Sequence, residues 1–211
     1  MKVEERIGQE NEALIGEKIK EFGITPRALD WKNEKDQQTR FRQIGILFGN
    51  KEAFSVNDLG CGFGDFSEYL QKEFGTKAVY QGYDLVPFVV EIARQQHPHA
   101  YFQSITSAHE MSIADYTVAS GIFNRTFAQV TEEEWWDYIL FTIRHMFEKS
   151  RLGIAFNALT SYSDKERMRE DLYYCDPCKL FDHCKRHLSR NVALLHDYDL
   201  YDFTLLVRKH P

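Results

Sequence analysis

A chain of 211 residues that is 43% hydrophobic has the length and apolar content for one α/β domain with a small additional element. Its formal net charge of −6 argues against a nucleic-acid surface. No apolar run reaches membrane-spanning length, and the charged start Met1-Lys2-Val3-Glu4-Glu5-Arg6 lacks a signal core. A cytoplasmic protein is expected, with reduced thiols at Cys61, Cys175, Cys178 and Cys184.

In chain order, Ile7, Leu14, Ile15, Ile19 and Phe22 recur at helical spacing over residues 1–22, and Gly23-Ile24-Thr25-Pro26 breaks the run. A second helix is predicted from Asp36 to Phe48. These 50 residues precede the first strand and read as a helical cap over a ligand edge, ahead of a core at 54–209. Strands are predicted at Phe54–Leu59, Ala78–Asp84, Ala100–Ile105, Asp115–Gly121 and Gly153–Leu159. Between them lie helices from Phe63 or Gly64 to Phe74, from Pro87 to Gln96, and from Thr131 to about Lys149. Thr131 and Glu134 have the spacing of a capping box. Residues 163–172 read as helical or lid-like, Asp176-Pro177 starts another helix, and strands follow at Val192–Leu195 and Phe203–Lys209.

Strands alternating with helices imply a doubly wound, mostly parallel seven-stranded sheet with helices on both faces. The connection from His196 to Asp202 is too short for a parallel crossover, so the last strand is expected to be antiparallel.

The most informative stretch is Asp58-Leu59-Gly60-Cys61-Gly62-Phe63-Gly64-Asp65, a strand end running through three alternate glycines into a helix. The dinucleotide fingerprint G-x-G-x-x-G wants a third glycine where this chain has Asp65, and a carboxylate there would repel a pyrophosphate. A ligand with a cationic amino group meets no such repulsion. Asp84 lies about twenty positions past the turn, the distance at which an acidic residue accepts ribose hydroxyls. Asp84 could also cap the helix at Pro87, and the two roles can coexist.

Asp58, Gly60, Gly62 and Gly64 resemble motif I of the class I S-adenosylmethionine-dependent methyltransferases, D/E-x-G-x-G-x-G. The resemblance implies S-adenosyl-L-methionine as cofactor, with S-adenosyl-L-homocysteine as product. It places the methionine part on the turn that includes Cys61, Leu85 against the adenine, and Ser104 and Ile105 at the adenine edge. Family members often carry an acidic residue at that edge, and this chain does not. The end of the fourth strand, with Ser120, Gly121, Phe123 and Asn124, lies nearest the reacting methyl, and Phe123 reads equally as a core aromatic. Arg40 could pair with the cofactor carboxylate by analogy with members that carry charge before motif I, or lie on a solvated helix face.

For catalysis, His196, Asn124 and Tyr162 are the candidates, His196 because its pKa can sit near neutrality. Tyrosines at 162, 173, 174, 198 and 201 read as a pocket for a small acceptor or as packing for the lid. Cys175, Cys178, His183, Cys184 and His187 have some of the arithmetic of a zinc site. Asp176-Pro177 is already explained as a helix start, and no metal is assigned. The expected function is methylation of O or N on a small-molecule acceptor by a monomer or homodimer, without nucleic acid or membrane. The alternatives are a protein or RNA acceptor, or a regulatory protein that binds the cofactor without catalysis.

Overall fold

The computed structural model describes residues 2–209. Helix α1 (Val3–Phe22) and α2 (Glu34–Gly45) lead into β1 (Phe54–Leu59), α3 (Asp65–Phe74), β2 (Ala78–Asp84), α4 (Pro87–Gln96) and β3 (Tyr101–Ser104). Then come β4 (Ala114–Ala119), α5 (Glu132–Glu148), β5 (Ser150–Leu159), α6 (Pro177–His187), β6 (Asn191–Leu195) and β7 (Asp202–Arg208). The sheet order is β3-β2-β1-β4-β5-β7-β6. β1 to β5 run parallel, and β7 lies antiparallel between β5 and β6. Among the described residues no helix is long and apolar enough to cross a membrane.

Alternation along the strands assigns each residue to one of two cores. Ile154, Phe156, Phe203, Leu205 and Val207 pack on one face with Ile139, Ile143 and Met146 of α5 and Leu180 of α6. Val56, Ala155 and Leu206 point to the other face, against Phe41 and Ile44 of α2 and Phe66 and Leu70 of α3. Each of these buried Val, Leu, Ile, Phe and Met side chains contributes about 1.5–3 kcal/mol. At Gly153 a Cβ would stand 2.5 Å from the Val207 carbonyl, so only glycine lets β7 pair there.

The expected elements are present, with differences at their ends. α2 starts at Glu34 because the Asn33 side chain accepts from the Asp36 N–H at 2.8 Å. It stops at Gly45, where Leu47 and Phe48 tighten into turns on the carbonyls of Ile44 and Gly45. β5 begins three residues early because Ser150 pairs with Ala114. Residues 163–172 form one short 3-10 turn, Lys165–Arg167, instead of a helix. That segment is tied down by backbone bonds from Thr126 N–H to the Asp171 carbonyl and from Tyr173 N–H to the Asn124 carbonyl. Thr131 and Glu134 make the reciprocal capping box of α5. Asp176 caps α6 by accepting from the N–H groups of Cys178 and Lys179, and Cys175 and Cys184 are buried.

Candidate functional site

The C-terminal ends of β1, β2, β4 and β5 border one cavity of about 620 Å3. It is roofed by Ile7, Asn11 and Ile15 of α1, Leu29 and Trp31 of the following turn, and Gln37 and Arg40 of α2. Glu10 helps fix α1 there by accepting from the N–H groups of Ala128 and Gln129 at 2.9 and 3.0 Å.

At one end lies the glycine turn. Gly62 has φ +55°, a conformation that costs a non-glycine residue steric strain. A Cβ on Gly62 would also stand 2.6 Å from Leu29 Cδ1, and one on Gly60 would stand 2.2 Å from Ile122 Cγ2. The turn is tied to β2, since the N–H groups of Gly60 and Cys61 both donate to the Tyr83 carbonyl, at 2.7 and 3.0 Å. Asp84 accepts from the Gly62 N–H at 3.1 Å through one oxygen and from the Val86 N–H at 3.0 Å through the other. A carboxylate has about four acceptor sites, so capacity remains for a pair of hydroxyls. The turn-holding and ligand-holding readings of Asp84 are therefore compatible.

Three carboxyl groups surround this turn. Asp58 is buried and accepts from the Tyr80 hydroxyl at 2.8 Å. Burial raises its pKa to about 7, opposed by the Tyr80 bond and reinforced by Asp84 and Asp65. Asp65 accepts from Gln37 Nε2 of the roof at 2.7 Å, and burial raises it as well. Burial also raises Asp84, against the pull of its backbone donors. Such an end disfavours an anion and favours a cationic group.

The other end is assembled from the β4–α5, β5–α6 and β6–β7 connections and carries Arg125, Arg167, Arg169, Tyr174, Asp199 and Tyr201. Arg125 is ion-paired with Asp30, which also pairs with Lys18 of α1. Arg40 grips the fully buried Asp202 with two nitrogens, the Nε bond being 3.1 Å, and its guanidinium lies 5.1 Å from the Trp31 ring centre. Between the ends, buried Asn157 accepts from the Gly121 N–H at 2.8 Å and donates to Ser120 Oγ at 3.0 Å. Asn124 Oδ1 accepts from the Leu159 N–H at 3.0 Å.

No protein-family model matches the chain. The fold is shared with human N-acetylserotonin methyltransferase in complex with S-adenosylmethionine, at TM-score 0.57 and 14% identity over 82% of this chain and 52% of that one. It is shared equally with an S-adenosylmethionine-dependent methyltransferase from Aquifex aeolicus, at TM-score 0.55 and 13% identity over 87% and 98%. A Mycobacterium tuberculosis protein named "Putative methyltransferase Rv1506c" is 49% identical over 159 residues, 75% of this chain and 95% of that protein. This chain belongs to the class I S-adenosylmethionine-dependent methyltransferases.

In this methyltransferase Asp58, Gly60, Cys61, Gly62, Asp84, Leu85, Ser120, Gly121, Asn124 and Arg40 all line the cavity. Other candidates do not. Phe123 is fully buried against Phe156, at a ring distance of 5.8 Å, so the core reading of that ring applies. Ile105 is buried, and its N–H donates to the Asp84 carbonyl at 3.0 Å. Ser104 ends β3, and Gly64 begins α3 against His97 and Phe102. The Arg40 guanidinium is engaged by Asp202. His196 and Tyr162 sit together outside the cavity, ring centres 6.0 Å apart, with Tyr162 68% exposed. The β6–β7 connection turns so that Asp199 to Asp202 reach the cavity and His196 does not.

Several lining or supporting residues went unread in the sequence. Asn157 had a signal, being the polar break in the apolar run Gly153-Ile-Ala-Phe-Asn-Ala-Leu159. Gln37, Tyr80 and Asp202 had none, because only the folded chain sets them beside Asp65, Asp58 and Arg40.

Proposed function

We propose that this methyltransferase methylates an oxygen or nitrogen of a small-molecule acceptor. The supporting observation is that the glycine end and the arginine end belong to one roofed cavity whose volume is typical of small-ligand sites. The site fits S-adenosylmethionine: side chains at Gly60 and Gly62 would collide with Ile122 and Leu29, Asp84 keeps acceptor capacity, and the surrounding carboxyls suit the cofactor's amino group. When bound, the cofactor supplies an electrophilic methyl group on a sulfonium.

In this reading Gly60, Cys61, Gly62 and Gly64 shape the turn that holds the amino-acid part. Asp84 accepts the ribose hydroxyls and Leu85 packs on the adenine, while Ile105 supports Asp84 from behind by donating its N–H to the Asp84 carbonyl. Ser120, Gly121 and Asn124 border the reacting centre, and Asn157 holds them in place. Proton removal from an acceptor hydroxyl or ammonium falls to Asp199. No histidine or glutamate lines the cavity among the described residues. Of the other carboxylates at that end, Asp30 and Asp202 are held in ion pairs and Asp36 accepts from Asn33 Nδ2 at 3.1 Å, whereas Asp199 has no hydrogen-bond or ion-pair partner among the described residues. A correctly placed base contributes about 100-fold or more, so Asp199→Asn should lower kcat about 100-fold with S-adenosylhomocysteine affinity unchanged.

Calorimetric titration tests the cofactor assignment. S-adenosylmethionine and S-adenosylhomocysteine should both bind and raise Tm, whereas NAD should do neither. NAD binding with no response to the two sulfur compounds would sink it.

A further inference from the structure

The charges along the cavity are sorted, and the sorting bears on the acceptor. The glycine end holds Asp58, Asp65 and Asp84, with no basic side chain bonded to any of them among the described residues. The opposite end holds five basic side chains, Lys32, Arg40, Arg125, Arg167 and Arg169, and four carboxylates, Asp30, Asp36, Asp199 and Asp202. β2 and β5 are three strand spacings apart in the sheet, roughly 14 Å, so the two fields act on different parts of what is bound.

Arg40 is matched by Asp202, and Asp171 holds Arg169 through Nε and Nη2, which leaves Arg169 its Nη1 among the described residues; the other cations are not fully matched. Asp30 serves both Lys18 and Arg125, which leaves those two cations one carboxylate short. Arg167 approaches Asp164 only to 3.8 Å, and Lys32 has no partner among the described residues. Arg125 is partly stripped of water, and burial together with the neighbouring Arg169 charge lowers its pKa while Asp171 opposes them. A guanidinium so placed gains from a further anion. Phe127, Leu172 and Leu200 line the same end, so the body that accompanies the anion is apolar.

Resting on the methyl-transfer reading, we propose that the acceptor is a small, largely apolar molecule bearing an oxyanion, anchored by Arg125 and Arg169. Its reacting oxygen or nitrogen is thereby turned toward Ser120, Gly121 and Asn124. The planar fork of a guanidinium matches both carboxylate and phosphate oxygens, and neither type of oxyanion needs a metal here.

The test uses the full chain, with and without S-adenosylhomocysteine, titrated calorimetrically with benzoate, phenyl phosphate and the neutral isostere benzamide. Benzoate or phenyl phosphate should bind at least about tenfold more tightly than benzamide, with affinity falling as salt rises. The tighter of the two identifies the anion. Arg169→Gln, at a side chain 57% exposed and therefore tolerant of change, should lose about tenfold of that affinity and leave S-adenosylhomocysteine binding intact. Arg125→Gln should do the same where it folds. Equal binding of benzamide and benzoate, or no effect of Arg169→Gln, overturns the inference even if S-adenosylhomocysteine binds. Failure of S-adenosylhomocysteine to bind, with arginine-dependent benzoate binding retained, overturns the donor assignment and not the anion site.

Discussion

The two ends of the cavity are built by different means. The glycine end is local and made of backbone: residues 58–65 fold on themselves and are pinned by residues 83–86 of the neighbouring strand. The arginine end is distant and made of side chains, drawn from positions near 30, 125, 167, 200 and 202 and joined by ion pairs. A backbone cradle requires particular residue types at fixed spacing. An assembly of long side chains can be reached from many sequences. The common part of the chemistry sits in the first kind of construction and the particular part in the second.

The sharpest way to break this contrast is at Arg40, which joins α2 to β7. Arg40→Met leaves Asp202 buried without its partner and should cost about 3 kcal/mol by denaturant unfolding, the low end for such pairs because Asp202 can take up a proton. Donor affinity of the protein that remains folded should be unchanged if Arg40 belongs to the side-chain end alone. A large drop would place it with the donor. Asp84→Ala attacks the backbone end: it removes the acceptor for Gly62 and Val86 and for the ribose, and should weaken S-adenosylhomocysteine about 100-fold in calorimetry. Benzoate binding should survive it.

Asn157→Ala strikes the junction. It strands the Gly121 N–H and should lower stability by about 2 kcal/mol, read as a fall in Tm. The smallest effect is a pH dependence. In the free protein Asp58 holds its proton up to about pH 7, whereas the unfolded chain releases it near 3.8. A cationic amino group favours the ionised form, so donor binding must expel that proton below pH 7. Affinity should fall about tenfold per unit below 7 and level off above it. The same raised pKa makes Asp58 cost stability as pH climbs from about 4 to about 7, because the unfolded chain ionises first. Asp58→Asn should flatten both profiles, and unchanged profiles would remove Asp58 from the account.

The sheet and the glycine end could be read in the sequence because short-range rules govern them. β2 and α4 begin and end where alternation and Pro87 place them, and the short link at 196–202 dictates an antiparallel β7. His196 misled because ring chemistry drew attention to a residue that the β6–β7 turn directs outward, while Asp199, three residues on, borders the cavity. Phe123 misled because an aromatic at a strand end serves a core or a site equally well until packing decides. Arg40 and Asp202 lie 162 positions apart, and no local pattern announces their pairing.

The roof has a consequence for turnover. Leu29 lies over Gly62 and Trp31 over Gly121, and the segment that carries them is fastened by Lys18–Asp30–Arg125, Arg40–Asp202 and Gln37–Asp65. In the proposed reading, opening this roof to release spent cofactor would break these fasteners, two of the three of which are ionic. Of the two, Lys18–Asp30–Arg125 is the more open to solvent, so its loosening should quicken as ionic strength rises, whereas the buried Arg40–Asp202 pair is screened far less; added salt should also weaken the hold on the proposed anionic acceptor. Throughput should accordingly peak at an intermediate salt concentration.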